Sequence, residues 1–472
     1  VGREQISKGY FDKRGAKMSK RPPFVVEGIS HATMNGHRFH LRLTDPTEKN
    51  FLWIDGKAPL ILNQIAAEFV YYLIKAFWEF QQGEGDESAA VIQYVVDKMY
   101  ERYGQVLALP GRPRVSRERI RRDLDTVFLQ LMSIADGGCP VENTSGLLGI
   151  DFAKWIAPAR MDCAPTYRCN LACGKCYRDC GAKQTTRELS TQQWKTILDR
   201  LWKIGIPQTV FTGGEPLLRE DIVELVKAAE LFVTGLVTNG TLLAPVAEQL
   251  RDASLDYVQV TLESSDAQVH NAMVGADFDA FAQTVAGIKA CLDLGMFVST
   301  NTTLTQRNYQ GFLQLLRFAQ SIGLKDVSCN TLICSGRGVR AKETEGLRPD
   351  VLRGVLEEAV GLARELGLNL QWFSPTCYRH LNPLELGLGA KGCSAAAYNM
   401  LTQPDGSVLP CQSWPDTVGN MMTDDWPTIW NNPTCVKLRN HGFASAECSG
   451  CEHNDTCGGS CPLDTDEKGA ES

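Results

Sequence analysis

The sequence has no run of about eighteen consecutive apolar residues, so no transmembrane helix is expected. Its start, VGREQISKGYFDKRGAKMSK, is polar and basic and lacks the apolar core of an export signal. Met18 is then a candidate true start, and a cytoplasmic location is expected. There is no excess of positive charge either. The formal net charge is −7, which argues against a dominant nucleic-acid surface. Cysteines are scarce before residue 160. With no export signal, a disulfide framework is disfavoured, and clustered cysteines point to metal or redox work.

The chain has 472 residues, 43% hydrophobic and 22% charged, enough for two or three domains around at least one large core. Its 17 cysteines concentrate at 163–180 and 377–461. Three regions separate. In residues 20–145, FVVEGI and FHLRL read as strands. LNQIAAEFVYYLIKAFWEF, SAAVIQYVVDKMYERYG and the segment from Ser116 to Met132 read as amphipathic helices. That makes an α+β domain, and DGGCPVENTSG (136–146) reads as a linker.

Residues 160–375 alternate strand and helix patterns. Strands are expected at 208–213, 232–239, 257–264, 297–304 and 326–333. This rhythm implies a parallel sheet, open or curled into a partial barrel, with functional groups at the carboxyl ends of its strands. Residues 376–472 are rich in Cys, Gly, Pro and Trp. They are expected to bury little apolar surface and to gain stability from metal clusters.

The central motif is TYRCNLACGKCYRDC, with Cys169, Cys173 and Cys176 spaced C-x3-C-x2-C. Three close thiolates can hold three irons of a 4Fe–4S cube and leave the fourth open. Zinc, with Cys180 or Cys163 as fourth ligand, is the competing reading. A TGGEP loop follows a strand and precedes a helix: Gly213, Gly214, Glu215 and Pro216. Its glycines admit close backbone approach, and Glu215 can accept from an ammonium group; an ordinary turn is the alternative.

Together these motifs resemble the radical S-adenosylmethionine (SAM) superfamily, including the aromatic Tyr177 after the third cysteine. The resemblance implies a partial (βα)6 barrel. It implies a cluster that cleaves SAM to a 5′-deoxyadenosyl radical, and a GGE loop that binds the SAM amino group. Thr238, Asn239, Glu263, Ser264, Asn301 and Thr303 stand at strand ends as further candidate SAM contacts. Where many relatives carry arginine, HNAMVG has Val274.

The last region resembles the SPASM domain, which holds one or two auxiliary 4Fe–4S clusters. The resemblance assigns Cys393, Cys411 and Cys461, with Cys377 a further candidate, to one cluster. It assigns Cys448, Cys451 and Cys457 to another, completed by Cys435, Asp464, an exogenous group or nothing. The final cysteine of the family pattern is missing, and a zinc ribbon is the alternative. Cys291, Cys329 and Cys334 read as buried hydrophobes.

The first region resembles a PqqD-like recognition element, a winged-helix-like fold to which a leader peptide adds as a strand. A plain packing domain or a DNA-binding winged helix would share the pattern. The three resemblances converge on sactisynthase-like radical SAM/SPASM peptide maturases. They imply an intramolecular crosslink in a ribosomally made precursor peptide and an electron donor such as flavodoxin or ferredoxin. Formylglycine-type maturation of a protein side chain and tailoring of a small cofactor are alternative enzyme readings. A peptide-binding or electron-transfer partner is the non-enzyme one.

Overall fold

The structure, a computed structural model, describes residues 31–34, 37–43, 50–54, 60–62, 64–80, 87–104, 115–135 and 156–464. The expected strand FVVEGI, the 136–146 linker and Met18 lie outside the described residues.

The first unit is a four-stranded antiparallel sheet in the order β1 (His31–Met34), β2 (His37–Arg42), β3 (Asn50–Ile54), β4 (Leu60–Leu62). Of the two strands read from the sequence, FHLRL coincides with β2 up to Arg42, and FVVEGI lies outside the described residues. Three residues suffice for β4, too few to show a period. The three helices form as expected: α1 (Gln64–Phe80), α2 (Glu87–Tyr103) and α3 (Arg117–Ala135). The Ser116 hydroxyl caps α3 by accepting from the Arg119 amide at 3.2 Å. Phe39, Leu41, Leu52 and Ile54 alternate along β2 and β3 and share a core with Ala67, Val70 and Ile74 of α1. His40, on the opposite face of β2, reaches Asp256 of the next unit at 3.1 Å, and both are buried.

The second unit is built on seven parallel strands, neighbours in chain order. They are β5 (Arg160–Thr166), β6 (Gln208–Gly213), β7 (Val233–Thr238), β8 (Tyr257–Thr261), β9 (Phe297–Thr303), β10 (Asp326–Asn330) and β11 (Asn369–Trp372). The sheet does not close on itself, as a partial barrel requires. All five strands read from sequence are present. β5 and β11 were missed, β5 because a mixed run, RMDCAPT, hides it. β6 is buried almost throughout, whereas β8 and β9 alternate, leaving Gln259, Thr261, Ser299 and Asn301 half-buried on one face. A polar stripe of that kind lines an opening rather than a helix-covered core.

The helix Thr191–Ile204 shows how the crossovers are punctuated. Ser190 and Gln193 form a capping box, and Gly205 ends the helix in the left-handed conformation at φ 105°. Trp194, Ile197, Leu198 and Leu201 bury its inner face.

The last region does not stand apart. β12 (Asn399–Thr402) pairs in parallel with β5, and β13 (Ser407–Leu409) and β14 (Gly419–Asn420) continue the same sheet antiparallel, to ten strands. Met400, Val408, Val418, Met421, Ile429, Trp430 and Leu438 enter the main core. The expectation of little apolar burial is therefore corrected for residues up to 438. It holds only beyond, where short turns with positive φ at Gly450, Gly458, Gly459 and Ser460 replace periodic elements.

The loop after β5 carries the three central cysteines, and Arg337 holds its shape. Its guanidinium donates to the carbonyls of Cys173 (2.8 Å) and Cys180 (2.9 Å), and its amide donates to the carbonyl of Cys176 at 2.9 Å. Asp179 pairs with the same side chain. Arg337→Ala frees two buried carbonyls. With about 1–3 kcal/mol lost, amide exchange across 169–181 is expected to quicken roughly 10- to 100-fold by hydrogen-exchange mass spectrometry. Unchanged exchange would show that the loop holds its own shape.

Candidate active site

The candidate site gathers at the carboxyl ends of β5 to β10. The TGGEP loop is fastened to the start of the cysteine loop by its backbone. The Gly214 amide donates to the Thr166 carbonyl at 2.9 Å, and the Glu215 amide to the Arg168 carbonyl at 2.8 Å. A side chain at 214 would put its Cβ 2.2 Å from the Arg168 oxygen, and Gly213 sits at φ +117°, so both positions require glycine. Pro216 opens a short 3₁₀ turn.

Glu215 is wholly buried, with four donor contacts to its carboxylate. The Thr238 hydroxyl lies 2.8 and 2.9 Å from its two oxygens, and the amides of Asn239 (2.8 Å) and Leu217 (3.0 Å) donate to it. Burial pushes its carboxyl up to about 7, although these donors pull the other way. Among the described residues no cation pairs with Glu215. A buried carboxylate with aligned donors and no counter-charge suits an ammonium ligand.

Cys169, Cys173 and Cys176 lie within each other's electrostatic reach. Burial raises the Cys169 thiol to about 11 and the Cys173 thiol to about 12. Cys176 is lowered to about 5, chiefly by the thiol of Cys180, with the Cys180 and Arg178 amides and the Arg337 charge adding to it. The donor set is all sulfur. Among the described residues no three His, Cys, Asp or Glu are grouped to hold a single metal ion. The three cysteines fit a cube, whose ligands spread over several irons. Asn239 approaches the Cys169 sulfur at 3.9 Å and donates to Asn170 at 2.9 Å.

The other strand-end candidates divide. Glu263, fully buried, pairs with Lys175 at 2.5 Å, and its second oxygen accepts from the Thr303 amide at 3.0 Å. Lys175 also donates to the Thr303 hydroxyl at 3.0 Å. Ser264 accepts from the Asp266 amide at 3.0 Å, a turn contact. Asn301 donates to Asn330 at 2.9 Å and accepts from Ser328 at 3.1 Å, lower on the polar stripe. The Tyr177 hydroxyl donates to Gln412, beside Cys411, and so faces the last region. Val274 is buried against Tyr167, Cys169 and Leu171.

Sequence reasoning missed Lys175, Asn170, His270 and Arg337. Lys175 stood in plain view between two motif cysteines. His270 is buried, and desolvation lowers it to about 4. Its Nδ1 faces the Glu263 amide at 3.2 Å, while Nε2 has no hydrogen-bond partner among the described residues.

In the last region Cys393, Cys411 and Cys461 come together. Burial, with Cys393 and Cys411 adding to it, pushes the Cys461 thiol up to about 12. Cys377 sits by Arg379, and Cys435 is buried in the main core near Arg439. Cys448 faces Ser445 at 3.6 Å, the Cys451 amide donates to the Cys448 carbonyl at 3.1 Å, and the Cys457 thiol donates to the Thr376 carbonyl at 3.4 Å. Cys291 and Cys329 are buried hydrophobes as expected. Cys334 is not: it is half-buried in the loop after β10, its thiol donating to Asp464 at 3.2 Å. The strand pattern DVSCNTLI misled because β10 stops at Asn330.

Comparison with known proteins agrees with this layout. Residues 163–319 match the model of the Radical SAM superfamily, and residues 393–452 that of an iron-sulfur cluster-binding domain, SPASM. An AdoMet-dependent heme synthase of Methanosarcina barkeri is 28% identical over 316 residues, covering 62% of this chain and 88% of the relative. The pre-heme d1 synthase of Dinoroseobacter shibae is 27% identical over 62% of this chain and 79% of its own length. Among solved structures, Streptococcus suis SuiB bound to precursor peptide SuiA superposes with a TM-score of 0.60 at 17% identity, covering 92% of this chain and 96% of its own. No described helix is long and apolar enough to cross a membrane. The chain is a radical SAM superfamily enzyme with a mixed α/β sheet and a carboxy-terminal SPASM domain, its cofactors SAM and iron–sulfur clusters.

Proposed function

We propose that this enzyme modifies a ribosomally made precursor peptide, held through its leader by the amino-terminal unit. The observation that carries the reading is the likeness to peptide-bound SuiB over 92% of the chain. Among the described residues β1 and β4 are the edges of that sheet, and an edge is where an added peptide strand pairs. An intramolecular crosslink, a thioether or a carbon–carbon bond, is the proposed product.

Cys169, Cys173 and Cys176 would hold a 4Fe–4S cluster that, with SAM on its open iron, supplies a 5′-deoxyadenosyl radical. Glu215 accepts the ammonium group of SAM, and Thr238 and Asn239 keep its carboxylate aimed. Lys175 offers the cation that Val274 does not. Electrons come from a small donor of the flavodoxin or ferredoxin type.

A second reading is tailoring of a tetrapyrrole cofactor. The heme synthases among the relatives favour it, because the chain covers 88% of one of them. Co-expression with a short peptide encoded beside the gene separates the two. The first reading expects the peptide to lose the mass of two hydrogen atoms. An unchanged peptide with full SAM turnover would favour the second.

The Glu215 role has its own test. Its folded carboxyl titrates at about 7, above the ordinary 4.5. The ionised form that pairs with ammonium is therefore lost as pH falls through 7, and SAM affinity should fall with it. The unliganded fold carries the opposite dependence, losing stability as pH rises from 4.5 through 7. Glu215→Gln should weaken SAM binding about 10- to 100-fold and abolish its pH dependence, read by equilibrium binding. Wild-type affinity in that variant would remove Glu215 from the SAM site.

A further inference from the structure

Cys334 belongs to the barrel by sequence, yet the structure delivers it to the SPASM cysteines. β10 ends at Asn330, and the loop beyond it turns toward the last region. The Ser335 hydroxyl donates to the Ser413 carbonyl at 2.7 Å, two residues past Cys411. The Arg337 amide donates to the Cys176 carbonyl at 2.9 Å. The loop is thus pinned on one side to the loop between β13 and β14 and on the other to the cysteine loop of the barrel.

The Cys334 thiol donates to Asp464 at 3.2 Å, and Lys342 pairs with the same carboxylate. The Asp464 amide donates to the Cys461 carbonyl at 2.9 Å. Asp464, Cys393 and Cys411 all act electrostatically on Cys461. Cys334 is therefore joined through one carboxylate to a group of three cysteines, and it is half-buried. Cys377, the other candidate, has its thiol by Arg379, and its carbonyl accepts from the amides of His380 and Leu381.

We propose that Cys334 supplies the fourth thiolate to the auxiliary cluster held by Cys393, Cys411 and Cys461. The inference rests on reading those three as cluster ligands. On binding, the Cys334 sulfur exchanges its proton for iron, the proton leaving through Asp464 to solvent. Asp464 then keeps Lys342 as its partner. Four protein thiolates leave no iron open, so this cluster relays electrons and does not bind a substrate thiolate. The ligand also ties the cluster to the strand next to the radical site, through the loop that braces Cys176.

The test uses the full chain with Cys169, Cys173 and Cys176 replaced by Ala, so that only auxiliary clusters remain. Iron content and electron paramagnetic resonance are read after anaerobic reconstitution, with circular dichroism as the folding control. Cys334→Ala should release about one iron per cluster on mild oxidation and give a three-iron signal. In the reduced state, added cyanide should shift a signal in Cys334→Ala that it leaves unshifted in the parent, over and above any response of the cluster at Cys448, Cys451 and Cys457. Cys334→Ser, which keeps an oxygen donor, should retain the iron and shift the signal. Cys377→Ala should match the parent. A parent-like spectrum in Cys334→Ala, or a three-iron signal from Cys377→Ala instead, would overturn the proposal. If Cys393→Ala, Cys411→Ala and Cys461→Ala all leave iron content unchanged, the underlying cluster reading fails, and the proposal with it.

Discussion

Two backbone hydrogen bonds, Gly214 to Thr166 and Glu215 to Arg168, carry the geometry of the site. They extend the pairing of β5 and β6 past the sheet, where neighbouring loops would otherwise diverge. Through them the first motif cysteine and the buried carboxylate are held by one peptide ladder. The circuit closes on the other side. Thr238 and Asn239 feed the Glu215 carboxylate, and Asn239 turns back to the Cys169 sulfur at 3.9 Å. A ligand that meets both sulfur-bound metal and carboxylate finds them set at a fixed separation. This is why a side chain at 214 cannot be tolerated: the contact it would break is the spacing itself.

The site also keeps its charges in two states of readiness. Glu215 has four donor contacts but no cation among the described residues, and burial raises its carboxyl toward neutrality. Glu263, one strand away from Thr238, already holds Lys175. A buried pair costs much of its Coulomb gain in desolvation, so it stabilises the fold weakly, but removing one partner strands the other. The two carboxylates are therefore unlike: one waits for charge from outside, and one fixes a lysine beside Cys173 and Cys176. A neutral His270 behind Glu263 adds no competing charge.

Much of this was legible because the motifs are local. Cysteine spacing, the glycine pair and the strand rhythm lie within short windows, and each constrains chemistry by itself. The same holds for α1 to α3, whose apolar spacing and the Ser116 cap are local signals. What sequence did not disclose depends on distant partners. Lys175 acquires meaning only from Glu263, Arg337 only from carbonyls more than 150 residues upstream, and Cys334 only from Asp464. The strands β4, β11 and β14 are too short to carry a period, and β12 is defined by β5, far earlier in the chain. The apolar burial of residues 395–438 was missed for the same reason: its partner surface is the barrel.

The placement of the amino-terminal unit bears on the choice of substrate. His40 of β2 pairs with His31 of the edge strand β1, and its ring meets Asp256, at the amino end of β8. Glu263 follows the carboxyl end of the same strand. Strand residues rise about 3.3 Å each, so the seven steps from Asp256 to Glu263 separate the two ends by roughly 20 Å. A small planar substrate gripped at β1 would stay out of reach of the cysteines. A peptide could pair with the edge and still extend past the sheet to the site. A segment of about seven extended residues covers that distance. On the proposed reading, then, the leader and the modified residue must be separated by at least such a spacer. The unit's position near the amino end of the barrel strands is a reason to prefer a chain-like substrate over a tetrapyrrole.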